Sequence, residues 1–459
     1  MNFKDIQQAY FLGIGGIGMS AIARYFHSIG IVVNGYDKTE TPLTKELVAE
    51  GIHIHYKDLG SRIGDLGLTK ESCLVVLTPA IPKDHQEWKW LVDKNFTILK
   101  RSQVLGIITD VYQTIGVAGT HGKTTTSTLI AHILKQSNVD CAAFLGGISS
   151  NYQTNLLLNQ STNQPINQYM VVEADEFDRS FLTLHPSIAI ITSTDADHLD
   201  IYGEHNELKK SFLAYASQCK ENGSLILKKG LDITADVTRD FITYSVTEKA
   251  DAYASNIQIK GDEYSFDLLF KEQHINNLVL GIPGLHNVEN AVAASVACLL
   301  AGVTADELKA GLASFKGVKR RFEYIIKRND FVYIDDYAHH PEELRAIISS
   351  VKNMYPNKKI VAAFQPHLFS RTRDFVDGFA ESLSLLDNVV LLDIYPAREL
   401  PMEGVTSNII FDKMTSTNKI LCSKTEAVEL IKQQKPEVLL TLGAGDIDQL
   451  VGVLKEAYK

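Results

Sequence analysis

Gly116-Val117-Ala118-Gly119-Thr120-His121-Gly122-Lys123-Thr124-Thr125 runs out of an apolar stretch and into a helical pattern. A glycine bend at such a junction can wrap backbone N–H groups around a polyphosphate, while the helix N-terminus and Lys123 add positive charge and the Thr124 hydroxyl is placed to meet Mg²⁺. Gly119, Thr120, His121, Gly122, Lys123, Thr124 and Thr125 are therefore candidate ATP-binding residues. The common phosphate-loop spacing has Gly where this chain has Val117, and Gly119 supplies the flexibility instead. The competing reading is an ordinary strand-to-helix turn.

Working outward, the next apolar run, Tyr169-Met170-Val171-Val172, stops at Glu173-Ala174-Asp175-Glu176-Phe177-Asp178. A buried strand that ends on a carboxylate delivers it to the ligand edge of a parallel sheet, which makes Glu173 the natural Mg²⁺ ligand. Asp175 and Asp178 have a blander explanation as caps or solvated groups. Ile188-Ala189-Ile190-Ile191-Thr192 repeats the design and leads to Asp195-Ala196-Asp197-His198-Leu199-Asp200, so His198 is a candidate second metal ligand. On the N-terminal side, Tyr10-Phe11-Leu12 leads into Gly13-Ile14-Gly15-Gly16-Ile17-Gly18 and then a helical pattern. The second strand ends near Asp37, a spacing that fits a dinucleotide fingerprint. Three readings stand here: an NAD site, a related fold holding another nucleotide diphosphate, which ranks first, and a purely structural βαβ unit.

Residues 252–280 alternate as strands do. Pro283-Gly284-Leu285-His286-Asn287-Val288-Glu289-Asn290 starts a helix on which Asn287 and Asn290 point the same way, as nucleotide contacts or as caps. The basic run Lys316-Gly317-Val318-Lys319-Arg320-Arg321 is either a solvated face or a phosphate clamp at a domain junction. Two later strands end at Asp335-Asp336-Tyr337-Ala338-His339-His340-Pro341 and at Gln365-Pro366-His367-Leu368-Phe369-Ser370-Arg371-Thr372-Arg373-Asp374. Two arginines and a histidine at a strand's end suit an anionic substrate.

At 459 residues the chain exceeds one core of usual size. The pattern predicts an α/β protein of three domains: an N-terminal Rossmann-like domain over 1–105, a central P-loop ATPase-like domain with a mostly parallel sheet over 106–316, and a C-terminal Rossmann-like domain over 317–459. A formal charge of -10 argues against a nucleic-acid surface. Cys73, Cys141, Cys219, Cys298 and Cys422 lie far apart and make neither a metal-ligand pair nor a disulfide framework, so they are expected to be reduced core thiols. The longest apolar stretch, around residues 291–303, is too short to span a bilayer, and the expected compartment is the bacterial cytoplasm.

Taken together, Gly119-Thr120-His121-Gly122-Lys123-Thr124, Glu173-Ala174-Asp175-Glu176, Asp197-His198, His286-Asn287 with Asn290, Arg320-Arg321-Phe322 and Asp335-Asp336-Tyr337-Ala338-His339-His340-Pro341 resemble the Mur ligases of peptidoglycan synthesis, in order and over nearly the whole chain. The resemblance implies that Lys123 binds ATP phosphates, that Thr124 and Glu173 hold one Mg²⁺ and that His198 helps hold another. It further implies that Asn287, Asn290, Arg321 and Asp336 serve the nucleotide, and that Tyr337, His339, His367 and Arg371 face the UDP-sugar and amino acid. Gly13, Gly15, Gly16, Ile17, Gly18 and Asp37 would hold UDP rather than NAD. Lys123, Glu173, His198 and His339 are the implied catalytic set.

Within the family, Gly13 to Ser20 and Phe364-Gln365-Pro366-His367 with Arg371-Thr372-Arg373-Asp374 resemble the members that join L-alanine to UDP-N-acetylmuramate, more than those that attach a recycled peptide. A monomer or homodimer without nucleic-acid or membrane partners is expected. The base that deprotonates the incoming ammonium stays open among His198, His339 and a substrate oxygen. An NAD-dependent oxidoreductase and a nucleotide-driven binding switch are the alternatives from other classes.

Overall fold

A computed structural model of the chain describes residues 6–159, 169–196, 199–260, 263–397 and 399–459. It forms two compact units: Met1–Tyr244 with Ala250–Ala252 and Ala293–Gly311, and Ser245–Lys249 with Tyr253–Val292 and Leu312–Lys459. The architecture is α/β with three domains and mostly parallel sheets, as the sequence predicts.

In the first unit, β1 (Gln8–Leu12), β2 (Val32–Tyr36), β3 (His53–His55), β4 (Cys73–Leu77) and β5 (Thr97–Lys100) form a parallel sheet in the order β3-β2-β1-β4-β5. The glycine turn follows β1, where the strand order reverses direction, the usual crevice for a ligand in such a sheet. The central domain contributes β6 (Gln113–Ala118), β7 (Cys141–Phe144), β8 (Leu156–Leu157), β9 (Tyr169–Glu173), β10 (Ile188–Ile191), β11 (Ser224–Lys228) and β12 (Ile242–Ser245). Their order is β12-β11-β10-β6-β9-β7-β8, parallel apart from the β7–β8 pair.

Strand β6 lies between β9 and β10, buried on both faces, which is why it reads as a continuous apolar run. Val117 is still inside this strand and fully buried, so the glycine expected there by loop spacing has no turn to make. The following helix, Lys123–Gln136, starts directly at the lysine, with Gly122 as its N-cap at φ 82°.

The N-terminal and central domains share one apolar core that runs from Phe11 and Phe26 to Phe144, Phe181 and Phe212. A polar tie crosses the same boundary: the Asn155 amide donates to Ile17 O (2.6 Å) and Ser20 Oγ (3.0 Å), and its carbonyl accepts from Arg24 (2.6 Å).

In the second unit, β14 (Glu263–Phe270) alternates exposed and buried residues, the period of a half-buried antiparallel strand, and pairs with β15 (Gln273–Leu280) beyond β13 (Ala252–Lys260). The C-terminal sheet holds β16 (Glu323–Lys327), β17 (Val332–Asp336), β18 (Ile360–Phe364), β19 (Asn388–Leu392), β20 (Asn418–Cys422) and β21 (Val438–Leu442) in the order β16-β17-β21-β18-β19-β20. Only β16 runs antiparallel to its neighbour. All five cysteines are buried and free, as expected. Among the described residues, no helix is long and apolar enough to cross a membrane.

His132, on the helix that follows the phosphate loop, is 2% exposed and shares a 3.0 Å hydrogen bond with the Tyr152 hydroxyl. Burial pushes its imidazole down from 6.5 to about 4. The unfolded chain therefore takes up this proton first as the pH falls, and the stability it carries above pH 6.5 is lost on the way down to 4. Relative to pH 8, the loss at pH 5 should be about 2 kcal/mol. Urea unfolding of His132→Gln should accordingly show a midpoint that falls less between pH 8 and pH 5 than the wild-type midpoint; equal falls would remove His132 from the acid sensitivity.

Candidate active site

The turn after β6 is fixed by the residues that follow β10. Gly119 has φ 131°, and a Cβ there would meet Thr192 Oγ1 at 2.2 Å and Ser193 N at 2.8 Å, so only glycine lets the loop lie this close to its neighbour. The Ser193 hydroxyl pairs with Thr120 Oγ1 (2.8 Å) and accepts from the His121 N–H (2.7 Å), while Thr192 Oγ1 donates to the carbonyls of Ala118 and His121. Beyond the loop, Gly122 caps the helix without a side chain of its own, which leaves N–H groups of the first helical turn for an anion.

Lys123 lies along this loop. Its ammonium donates to Gly119 O (2.6 Å) and to Glu176 (2.9 Å to Oε1), and its side chain is only 13% exposed while that of Glu176 is fully buried. Burial alone would favour the neutral amine, but Glu176, Asp175 and Glu173 together hold Lys123 protonated well above the usual lysine range. Glu176, the partner of Lys123, was not singled out in the sequence, although it stands in the Glu173-Ala174-Asp175-Glu176 string. Its backbone is anchored by the Tyr202 hydroxyl, 2.6 Å from the Glu176 carbonyl.

Glu173 ends β9 in register with Val117 of β6, and Ala174 N donates to Val117 O (2.8 Å), so its carboxylate reaches the sheet edge where Thr124 stands in the first turn of the helix. A Cβ on Gly146 would meet the Glu173 carboxylate at 2.0 Å; this glycine makes the space that the carboxylate fills. A threonine hydroxyl and a carboxylate are hard oxygen donors of the kind Mg²⁺ takes, and the pair fits that ion. Asp175 instead pairs with Arg101 (3.5 Å) and caps Phe177 N (3.1 Å), its blander role. Thr125 is buried beside Thr124. His198 falls outside the described residues.

At the N-terminal sheet edge, Gly13 N and Ile14 N donate to Tyr36 O (2.8 and 3.0 Å). Asp37 accepts from Gly15 N (2.7 Å) and Thr39 N (3.1 Å), so its carboxylate fastens the glycine turn to the end of β2. Gly16 caps the helix Ile17–Ser28 without a side-chain bond, and a Cβ on Gly18 would run into the Arg101 guanidinium at 2.8 Å.

In the second unit, the ends of β17 and β18 gather the remaining candidates. Asp336 is 9% exposed and accepts from Phe322 N (2.7 Å) and Ala338 N (2.8 Å). Burial raises its carboxyl to about 6 against the pull of Arg321. Tyr337 carries the guanidinium carbons of Arg320 and Arg321 over its ring at 5.2 and 5.0 Å. His339 faces Tyr337 and His367, at ring distances of 5.3 and 6.1 Å, and Arg371 reaches His367 Nδ1 at 3.5 Å. The structure therefore brings Arg321, Tyr337, His339, His367 and Arg371 into one cluster.

Two members of this cluster were not singled out in the sequence. Glu343 pairs with both Arg321 (3.6 Å) and His339 (3.2 Å), and Tyr395 stacks on His367 at 5.8 Å. Glu343 lies four residues beyond His339 on a helix start, a spacing that could have found it; nothing local marks Tyr395. Asn287 and Asn290 are buried and joined, Asn290 Nδ2 donating to Asn287 Oδ1 at 3.3 Å, while Asn287 Nδ2 caps Pro283 O at 2.6 Å. They share a face as expected, and part of their bonding capacity is internal. Beside them His286 is held neutral, pushed down to about 4 by burial and by Arg321.

Family models match along the chain in order: "Mur ligase family, catalytic domain" over residues 8–113, "Mur ligase middle domain" over 117–298 and "Mur ligase, glutamate ligase domain" over 320–445. UDP-N-acetylmuramate--L-alanine ligase of Parabacteroides distasonis is 49% identical, across 99% of this chain and 98% of the relative. The protein of the same name from Porphyromonas gingivalis is 50% identical, across 98% and 99%. Among solved structures, UDP-N-acetylmuramate-alanine ligase of Thermotoga maritima superimposes with a TM-score of 0.82 at 28% identity, over 98% of this chain and 99% of that one. The murein peptide ligase of Psychrobacter arcticus shares the fold, with a TM-score of 0.71 at 23% identity and 98% of each chain covered. With its three domains matched in sequence order and its length shared with these relatives, the chain belongs to the Mur ligase family.

Proposed function

We propose that this ATP-dependent, amide-bond-forming ligase joins L-alanine to the lactyl carboxylate of UDP-N-acetylmuramate. The observation that carries the reading is Lys123, held protonated beside Glu176 at the mouth of a glycine loop and a helix N-terminus. Together with relatives of that name at about half identity over the full length, it supports a site built to take a phosphoryl group. We assign residues 1–105 to the UDP-sugar, 106–316 to ATP and 317–459 to the amino acid.

A carboxylate resists attack by an amine until one of its oxygens becomes a good leaving group. The lactyl carboxylate takes the γ-phosphoryl of ATP, releasing ADP; the neutral amine of alanine adds to the acyl carbon; and the tetrahedral adduct collapses with loss of phosphate. Lys123 exchanges its contact with Gly119 O for phosphate oxygens and offsets the charge that develops on them. The N–H groups of the first helical turn orient the polyphosphate, and Thr124, Glu173 and His198 are the side chains assigned to Mg²⁺. Bound there, Mg²⁺ would neutralise phosphate charge. Asn287, Asn290, Arg321 and Asp336 are assigned to the nucleotide. Arg371 and His367 supply cationic and hydrogen-bonding groups for an anionic substrate, with His339 beside them.

Phosphate release should require UDP-N-acetylmuramate and L-alanine together, and a tripeptide should not replace the alanine. Release with either substrate alone would remove the ligase reading, and preference for the peptide would move the chain to the recycling branch. Lys123→Ala should lower kcat by about 10²–10³-fold or more with an unchanged circular dichroism spectrum; near-normal turnover in the folded variant would sink the phosphate-loop role.

Arg371→Ala should impair ligation by a similar factor while an ATP analogue, followed by calorimetry, binds nearly as tightly as to the wild type. Loss of analogue binding in a folded Arg371 variant would place that residue in the nucleotide site instead.

A further inference from the structure

Strand β3 ends at His55, and the chain then turns through Asp58 into a short 3-10 segment, Gly60–Leu66, against which the helix Gln86–Asp93 begins. The Asp58 carboxylate accepts from Gly60 N (3.0 Å), Gln86 N (2.8 Å) and Glu87 N (3.2 Å). Glu87 is fully buried and accepts from the Tyr10 hydroxyl and from Leu59 N, both at 2.7 Å. Between these carboxylates stands His85. Its side chain is 5% exposed, and neither ring nitrogen makes a hydrogen bond. Its Nε2 lies 3.7 Å from Asp58 Oδ2, and one ligand atom each from Asp58, His85 and Glu87 fall within 4.8 Å of one another.

A buried imidazole without a hydrogen bond carries an uncompensated desolvation cost. The 3.7 Å separation is too long for a hydrogen bond. It is close to the edge of a tetrahedron around a metal, where two ligands each about 2.0–2.2 Å from the ion stand roughly 3.3–3.6 Å apart. Each carboxylate is already oriented by backbone N–H donors or by the Tyr10 hydroxyl, the outer arrangement that fixes metal ligands, and each has lone pairs left.

We propose that Asp58, His85 and Glu87 form a binding site for a divalent transition-metal ion of the zinc class in the N-terminal domain. One imidazole and two carboxylates suit zinc better than Mg²⁺ or Ca²⁺, which prefer all-oxygen shells. The ion ties the segment after β3 to the start of helix Gln86–Asp93. The same segment supports the glycine turn, since His55 O accepts from Asp37 N (3.1 Å) and Asp37 in turn holds Gly15 N.

The test uses the full chain, stripped with a chelator and then dialysed against Zn²⁺ in a large excess of Mg²⁺, with metal content read by mass spectrometry and stability by thermal melting. Wild-type protein should retain one Zn²⁺ per chain and melt higher with it. His85→Phe, which keeps the ring volume, and Glu87→Gln should each bind at least tenfold more weakly and lose the zinc-dependent rise in Tm. A wild type that retains no zinc overturns the proposal, and so does equal retention by both variants, which would mark adventitious binding elsewhere. Should one variant fail to fold, the other decides.

Discussion

A lysine ammonium buried at the mouth of the phosphate loop has to be paired, and much of the central domain is arranged around that demand. Removing the charge from water costs several kcal/mol unless good hydrogen bonds replace the hydration. Glu176 and the Gly119 carbonyl supply them. Glu176 can do so only because β9 lies next to β6 and runs parallel to it, so that whatever follows β9 arrives at the same sheet edge as the loop. The pair keeps the cation in place at the mouth of the loop.

The same geometrical device recurs in the C-terminal domain. Strands β17, β21 and β18 are parallel neighbours, so the residues after each emerge side by side: Tyr337 and His339, Gly443, and His367 with Arg371. Arg320 stitches two of these exits together through Asp335 (3.1 Å) and Gly443 O (2.6 Å). In each case the sheet supplies the precision and the loops supply the chemistry, as expected of open parallel sheets.

This division explains what could be read from the sequence. Buried parallel strands are written as apolar runs, and the polar strings that terminate them emerge at one sheet edge; the positions of Glu173, His339 and Arg371 just past their strands were legible in this way, and that of Lys123 from its glycine loop. That the helix starts at Lys123 follows from Gly122 in the left-handed region, since the first apolar helical residue, Leu129, comes later. Ser193 and Tyr395 were invisible because their importance lies in contacts with residues far away in sequence, and a serine or tyrosine in a loop carries no local signal. Asp58, His85 and Glu87 share that fate: a whole strand, β4, separates Asp58 from the other two in sequence, and only the fold closes the gap.

The hold of Thr192 and Ser193 on the phosphate loop has a further consequence for the arrival of nucleotide. Their hydroxyls engage Ala118, Thr120 and His121 within the protein itself, so the loop loses its backbone freedom as the domain folds. Association then carries little ordering entropy of its own, and the encounter is that of an anion with a rigid cradle. An anion that docks there meets diffusion and desolvation as its barriers, with the folding work already complete.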